Sequence, residues 1–497
     1  MSFFVTLVSD NLVTIAIFLL VLLLARRLRP RPGLPPGPRG WPFVGNLFLL
    51  MKPDKREVFR KLRQKYGDLV SLSVGGQPIL LVNGVDKLHE VFVDHGKEFD
   101  KRPQVFTVLK VGQGKAVVHS SGHVWKEHRG FVLSNMKELG IGKTTFQQNV
   151  VEEIKPFLDV LDSTKGDDFD PRFCVQTAMS NIICSICFGK RFEYEDPDFK
   201  DILNIFDENM RISGSTSIVN YFPFLENLPG DPFKCGACLD NVDKIQVILK
   251  RWIERHRKTL DPSKPRDIID RYILELETKR KTGEATTMDE TQLLKLVGDL
   301  FVGGTETTAT TLRWALLFLV RHPEMQQRIY EEVISTLKGR TQLSILDKKG
   351  MPFTSAAILE IQRLGDIAPF VLPHSNFEEV TLGKYTIPAG CVVIPNVNSV
   401  HHDPDIWEHP LEFRPSRFLD NNGSVVNRKE LMPFFIGPRM CPGKSLAKME
   451  VFLFLTSIIQ HFEILPTDSE RLPALEGHVG ITYVPHPHSL RFVKRRH

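Results

Sequence analysis

Disulfides have little to work with here. Seven cysteines, an odd number in 497 residues, argue against a cross-linked framework. Zinc fares no better. Cys184-x-x-Cys187 and Cys235-x-x-Cys238 are the two halves a zinc site would need, but they are too far apart for a compact ribbon. Cys184 also lies in the apolar run Asn181 to Phe188, which suits buried thiols. The net charge of +5 is too mild for a nucleic-acid binder, and no nucleic-acid module is present. It suits an acidic protein partner or an anionic membrane surface. There is no internal repeat and no flavin or nicotinamide fingerprint, so redox chemistry would draw its electrons from a separate protein. With 42% hydrophobic and 25% charged residues, the composition is that of a globular protein with ample core.

What the chain does have, at its start, is a long apolar run. Phe3 to Ala25 is interrupted only by Thr6, Ser9, Asp10, Asn11 and Thr14. As a helix it would span about 34 Å, against a hydrocarbon core of about 30 Å. Arg26, Arg27, Arg29 and Arg31 follow it and no basic side chain precedes it. The positive-inside rule then keeps the body cytoplasmic, whereas a cleaved signal peptide would reverse the charge order. We read 1–28 as an uncleaved membrane anchor, 29–45 as a stiff proline-rich hinge and 46–497 as the catalytic domain. Tyr221 to Leu225, Tyr-Phe-Pro-Phe-Leu, offers a second membrane contact or a buried loop.

The body is mostly helical in period, with a strand hairpin over Tyr66 to Val82 and another short pair over Lys384 to Ile394. The longest helix is expected from Asp289 to His322, about 50 Å long and stopped by Pro323. Further helices are expected over Glu324 to Gly339 and Ser355 to Leu364.

The most informative stretch is Pro433-Phe-Phe-Ile-Gly-Pro-Arg-Met-Cys-Pro-Gly443, followed at once by an amphipathic helical run, Lys444 to His461. A cysteine just before a helix N-terminus meets free N–H groups and a positive dipole end, which favour the thiolate. Gly437 and Gly443 allow tight turning and close approach of a flat partner, and Arg439 is placed to pair with that partner's acid group. One thiolate with a nearby arginine points to haem iron held by Cys441.

The centre of the long helix reads Phe301-Val-Gly-Gly-Thr-Glu-Thr-Thr308. Adjacent helical glycines cost about 1 kcal/mol each, so they need a reason. One is the approach of a flat ligand and a gas molecule, with a locally loosened hydrogen-bond ladder; the other is a helix–helix crossing through small residues. Glu306 beside a hydroxyl can pass protons to a buried oxygen species. Glu360-Ile-Gln-Arg363 puts an acid and a cation on one helix face, ordinarily a solvated pair. Trp125 and Arg129, four apart, share a helix face. His119 and His123 share helical spacing too, with a surface or structural role favoured over a metal.

Phe434-x-x-Gly437-x-Arg439-x-Cys441-x-Gly443 resembles the haem-binding signature of the cytochrome P-450 family, and other family landmarks follow over nearly the whole chain. The resemblance is to microsomal animal members that oxidise drugs, fatty acids and steroids. It implies a mainly helical fold with small antiparallel sheets, binding haem b with Cys441 as axial ligand. It also implies that Gly303, Gly304, Glu306 and Thr307 form the oxygen-activation motif, with glycine at 303, where alanine is commoner, leaving extra room above the iron. By the same resemblance Arg102, Trp125, Arg129, His374 and Arg439 reach the haem propionates. Glu360, Arg363 and Arg417, the last in Phe413-x-Pro415-x-Arg417, lock the cysteine loop. Phe106, Leu109, Val117, Phe206, Met210, Val302, Ile367, Phe370, Val371 and Ile481 fall in segments matching substrate-contacting regions, and all are apolar, as a lipophilic ligand requires.

The implied activity is a monooxygenase that splits dioxygen, placing one atom in the substrate and releasing the other as water. Electrons would come from NADPH through NADPH-cytochrome P-450 reductase, with cytochrome b5 as a second donor, at the endoplasmic reticulum membrane. Lys126, Lys444 and Lys448 are candidates for docking the donor or are simply a solvated face. The nearest rival is a haem-thiolate isomerase or dehydratase acting on a lipid peroxide without external electrons, against which the Glu306–Thr307 pair argues. A haem-based gas sensor or carrier is the non-enzymatic rival.

Overall fold

The computed structural model describes residues 33–495 together with Thr14, Ala16 and Phe18. Apart from those three positions, the expected anchor lies outside the described residues, as do the start of the hinge and the basic cluster Arg26 to Arg31. Among the described residues no helix is long and apolar enough to cross a membrane. The chain forms two compact units, Met1–Pro103 with Leu372–Asn396, and Gln104–Val371 with Val397–His497. The expected catalytic stretch is distributed over both.

The first unit is built on a four-stranded sheet. Leu69–Val74 and Gln77–Val82 form the expected hairpin, in register from Leu69 opposite Val82 to Val74 opposite Gln77. The two residues between them, Gly75 and Gly76, have φ of 57° and 82°, the left-handed pair a tight hairpin needs. Gln77–Val82 runs parallel to Val392–Pro395, which pairs in turn with His374–Ser375. The expected pair over Lys384 to Ile394 is therefore corrected. The local hairpin is Val380–Leu382 with Tyr385–Ile387. Pro388 cannot extend the ladder, and Gly390 (φ 73°) turns the chain so that the wholly buried Val392–Pro395 joins the first sheet. The described part of the hinge docks on that sheet's edge. The Ser71 amide donates to the Pro36 carbonyl at 3.1 Å and its hydroxyl to that of Pro35 at 2.6 Å.

The second unit is mainly α-helical, with a three-stranded and a two-stranded antiparallel sheet among its described residues. At its centre runs Glu290–Arg321, one uninterrupted helix capped by the Asp289 carboxylate and followed by Pro323. From Thr308 to Val320 every residue of it is buried. Arg172–Phe188, almost wholly buried itself, packs along it. Pro323–Leu337 and Pro352–Gly365 begin at their prolines, earlier than expected, because proline suits the first helical turn. Lys444–His461 was expected to be amphipathic. It is instead buried at every position from Met449 to Gln460, because helices and strands cover it on all sides.

Candidate active site

Cys441 lies in a loop leading into Lys444–His461, with Gly443 at the helix N-cap. The Cys441 amide donates to the Phe434 carbonyl at 3.0 Å and that of Met440 to Gly437 at 3.1 Å, which closes the loop on itself. Two residues in it are left-handed, Gly437 (φ 73°) and, against the preference of a bulky side chain, the buried Phe435 (φ 60°). Gly443 has φ −82°, so its backbone does not require glycine. A Cβ there would sit 3.8 Å from the Cys441 sulfur, so the missing side chain leaves that sulfur uncrowded. The other six cysteines are buried, whereas Cys441 is only partly so. Burial pushes its thiol up. The N–H groups of Gly443 and Lys444 and the charges of Arg129 and Lys444 act in the opposite direction. The expected helix-end stabilisation of the thiolate is present, but desolvation outweighs it in the free protein.

Three residues named from sequence converge beside this loop. Arg129 donates to the Met440 carbonyl at 2.6 Å. Arg439 donates to the carbonyls of Val117 at 3.1 Å and Ser120 at 2.7 Å, with its guanidinium 4.1 Å from the centre of the Trp125 ring. Arg129 lies 5.8 Å from the same ring. The indole N–H of Trp125 is buried and has no partner. A partly buried cysteine, two arginines and an unmet indole donor suit a planar group that carries acid side chains and a metal accepting sulfur. Arg102 and His374 belong to the first unit. There Arg102 donates to the carbonyls of Leu372 at 3.0 Å and Pro373 at 2.8 Å, and His374 Nδ1 donates to that of Phe99 at 2.7 Å.

The two glycines of the long helix have different reasons. A Cβ on Gly304 would collide with Ile183, so this residue is a helix-crossing glycine against Arg172–Phe188. A Cβ on Gly303 would meet nothing within 4 Å. The helix runs through both glycines without a break.

Glu306 and Thr307, consecutive residues, are about 100° apart around the helix. Thr310 donates to the Glu306 carboxylate at 3.1 Å, Thr482 bonds it as well, and burial pushes its proton affinity up. Thr307 donates to the Gly303 carbonyl at 2.7 Å. The acid and the hydroxyl are thus each bonded elsewhere, not to one another.

Of the ten expected pocket residues, Phe206, Met210 and Val302 line one crevice together with Gln176, Asp207 and Glu306. Phe106 packs instead with Val219 and Cys235. Ile481 and Leu109 are nearly half exposed, Val117 and Ile367 join the main core, and Phe370 and Val371 are half-buried beyond Gly365. The polar wall made by Gln176 and Asp207 was missed. Its signal was an amide, Gln176, in the apolar helix Arg172–Phe188 and an acid, Asp207, between Phe206 and Met210.

Glu360 is surrounded by cations. Arg363 donates to it twice, at 2.7 and 2.9 Å, and Arg417 once at 2.9 Å. The side chains of Glu360 and Arg363 are 0% exposed, so the expected solvated pair is a fully buried one. Arg363 also donates to the His401 carbonyl at 2.6 Å and that of Pro410 at 2.8 Å. His401 continues the chain of contacts. Its Nδ1 donates to Asp366 at 2.8 Å and its Nε2 accepts from the Met432 amide at 3.1 Å, at the start of the cysteine loop. That link between His401 and Asp366 left no sequence signal.

The remaining candidates fall apart. Cys184 and Cys187 lie in one helix and Cys235 and Cys238 in another, all buried, with their thiols pushed up by burial. His119 precedes the helix Gly122–Glu138 that contains His123, so the two do not share a helix face. Among the described residues the one group of three with metal-ligand atoms close together is His256, Asp267 and Asp270, where Arg266 already pairs with Asp270 at 2.7 Å.

Comparison with known proteins follows this geometry. The model of the family described as Cytochrome P-450 matches residues 35–492. Cytochrome P-450 2U1 of Bos taurus is 36% identical over 494 residues, covering 94% of this chain and 90% of that protein. Cytochrome P-450 2B4 of Oryctolagus cuniculus is 36% identical over 481 residues, with coverages of 96% and 97%. Cytochrome P-450 2J2 of Homo sapiens is 36% identical over 476 residues, with coverages of 95% and 93%.

Proposed function

Given that this chain belongs to the cytochrome P-450 family and is a monooxygenase, we propose that it oxygenates a lipophilic small molecule, a xenobiotic, fatty acid or steroid, with electrons from NADPH delivered by a separate reductase. Haem, when bound through Cys441, supplies the binding and reductive cleavage of dioxygen. The residues of the second unit divide the remaining work. Trp125, Arg129 and Arg439 would hold the acid side chains of the haem, while Arg129 also ties down the loop that carries the sulfur through the Met440 carbonyl. Phe206, Met210 and Val302 exclude water from the substrate and press it toward the open side of Gly303. Glu306, its proton affinity raised by burial, holds a proton at its carboxyl until the reacting oxygen takes it. The Thr307 hydroxyl, which donates to Gly303 in the resting arrangement, would relay that proton by passing on its own as it takes one from Glu306, once both side chains leave their present partners. Glu360, Arg363 and Arg417 keep the loop's approach rigid.

Reductase docking is assigned to Lys126, Lys444 and Lys448. Lys126 is exposed and the other two are half-buried, with Lys448 pushed down by burial and by the Lys444 charge. Cytochrome b5 is assigned the same surface. Membrane attachment at the endoplasmic reticulum is assigned to 1–28, with 29–45 as the hinge and the body cytoplasmic; Phe224, 66% exposed, suits a second contact with the lipid surface.

The observation that carries this reading is Cys441, less buried than the other six cysteines, in the loop beside the Arg439–Trp125 stack with its unmet indole N–H. The test compares the reduced carbon monoxide spectrum of the full-length protein with that of Cys441→Ser. The thiolate band should vanish in the variant, and oxygenated product should require dioxygen, NADPH and reductase, with a rate that falls as salt screens the lysines. An unchanged band removes Cys441 as ligand. Turnover of a lipid peroxide without NADPH would favour an isomerase instead.

A further inference from the structure

The end of one helix and the start of the next bring three buried side chains with metal-binding atoms together. His256 stands in the last turn of Cys235–Lys258, Asp267 caps Ile268–Thr282 and Asp270 lies in its first turn. The loop between the helices contains Pro262 and Pro265, which limit its freedom. The imidazole is 10% exposed and both carboxylates 0%. Two buried acids demand compensation, and Arg266 supplies it for one of them.

Each carboxylate has one oxygen fixed by its own neighbourhood. Asp267 Oδ1 accepts from the Asp270 amide at 3.0 Å. Asp270 Oδ2 accepts from the Arg266 amide at 3.0 Å and from its Nε at 2.7 Å. The other two oxygens face His256 Nε2, Asp267 Oδ2 at 2.6 Å and Asp270 Oδ1 at 3.2 Å, the latter also reached by Arg266 Nη2 at 3.0 Å. Despite this closeness neither His256 Nε2 nor Asp267 Oδ2, both buried, makes a hydrogen bond. A Cβ on Gly189 would press on Asp267 Oδ2 at 3.0 Å, so the glycine leaves that side of the oxygen clear. The three facing atoms lie within 4.8 Å of one another. Atoms bound to one zinc ion at about 2.0–2.2 Å stand roughly 2.8–3.5 Å apart, so binding needs only a small widening of the shortest contact. One imidazole and two carboxylates, with no sulfur, suit zinc or a neighbouring divalent metal, whereas calcium asks for six or more oxygens.

We propose that His256, Asp267 and Asp270 bind one divalent transition-metal ion, zinc foremost, which staples the end of Cys235–Lys258 to the start of Ile268–Thr282. The step is ligand exchange without redox. A neutral imidazole and two carboxylates donate lone pairs to the ion, waters leave it, and any proton shared between His256 and Asp267 leaves for solvent. Arg266 stays on Asp270 as the outer partner that orients the carboxylate. Zinc carries no redox chemistry of its own, so the role is structural. Nothing in it depends on what Cys441 holds.

The test uses full-length haem-loaded protein dialysed against a chelator, beside Asp267→Asn and His256→Gln. Zinc bound per haem is measured by elemental analysis after equilibrium dialysis, and hydrogen exchange is followed at 256–270 with and without zinc. The parent should take up one zinc more than either variant, with an affinity about a hundredfold or more above what they retain. In the parent, zinc should slow exchange at 256–270 about tenfold. It should also raise the thermal midpoint by about 2–3 °C when present at a hundredfold excess over its dissociation constant. These two readings need no substitution, so they stand even where a variant fails to fold. Three outcomes overturn the proposal: a parent that takes up no zinc, equal uptake by parent and folded variants, or uptake that leaves exchange at 256–270 unchanged. The three side chains are then a buried ion pair and nothing more.

Discussion

Glu360 and Glu306 are both carboxylates on helices of the second unit, screened from solvent, and their surroundings could hardly differ more. Glu360 receives three arginine N–H groups and the Arg414 amide. Glu306 accepts from the Thr310 and Thr482 hydroxyls and lies in the field of Arg313, and burial outweighs all three. The first acid is enclosed by fixed cations that hold it in one place. The second is held where burial favours its protonated form and beside a helix face that a Cβ would find empty. On the proposed reading, rigid scaffold and proton handling thus use the same residue type, and the partners decide which role it takes.

The comparison is broken most severely on the scaffold side. Arg363→Ala leaves the buried Glu360 with Arg417 as its one cation and frees carbonyls of His401 and Pro410. Removing one partner of a buried pair costs about 3–5 kcal/mol. The expected outcome is a large drop in the thermal midpoint, with haem lost from whatever protein accumulates, since the same region positions Met432 through His401. A variant that keeps its midpoint and its haem would show that the arginine cage is dispensable.

A third acid sharpens the contrast. Glu450, on Lys444–His461, is fully buried, accepts only from the Thr308 hydroxyl at 3.0 Å, and has one oxygen with no partner. Burial pushes it up from 4.5 to about 8, against the smaller opposing effect of Thr308. A raised folded value means the unfolded chain gives up its proton first. The acid's contribution to stability is therefore full below about 4.5, falls as pH rises, and levels off above about 8. Glu450→Gln removes this dependence. At alkaline pH it should be more stable than the parent by on the order of 2 kcal/mol, less than the full linkage because the amide's second donor also lacks a partner. Thermal midpoints of both proteins between pH 5 and 9 test it: the gap should widen with pH, and a constant gap would show that Glu450 does not titrate in the fold.

How much of this could be seen without coordinates depends on the range of each interaction. The cysteine loop, the long helix with its cap and stop, and the Glu360-Ile-Gln-Arg363 pairing are local patterns, set by residues a few positions apart. Their solvent exposure was not local: the acid–arginine pair looked like a surface contact because nothing in four residues tells that 401–418 will cover it. Lys444–His461 looked amphipathic for the same reason. The crevice was the least legible part. Phe206, Met210 and Val302 meet across two helices, while Phe106 turns to Val219 and Ile481 to solvent. Apolar character says that a side chain will pack, not against what. The hydrogen bonds of His401 and of Asp299 join segments dozens to hundreds of residues apart and leave no periodic trace.

On the chemical side of the comparison, Glu306→Gln keeps the shape and the Thr310 contact but cannot carry a proton. Product formed per NADPH consumed should fall about tenfold or more. In the parent this ratio should decline as pH rises through the burial-raised value of Glu306, because only the protonated acid can deliver; in the variant it should be flat and low. Equal ratios at every pH would assign proton delivery elsewhere.

The smallest effects separate the two adjacent glycines. Alanine favours a helix interior over glycine by about 1 kcal/mol. At Gly303 the added methyl meets nothing, so Gly303→Ala should gain roughly that amount while weakening the binding of bulky ligands on that side. At Gly304 the methyl runs into Ile183, and overpacking a core crossing costs about 1–3 kcal/mol, more than the helix gain returns. Gly304→Ala should therefore lower the thermal midpoint slightly, and Ile183→Val in the same chain should restore part of the loss by clearing the space the methyl needs. If both alanine variants are stabilised alike, the crossing is not close-packed at Gly304, and the long helix is free to shift against Arg172–Phe188 at the position where its neighbour Gly303 stands open.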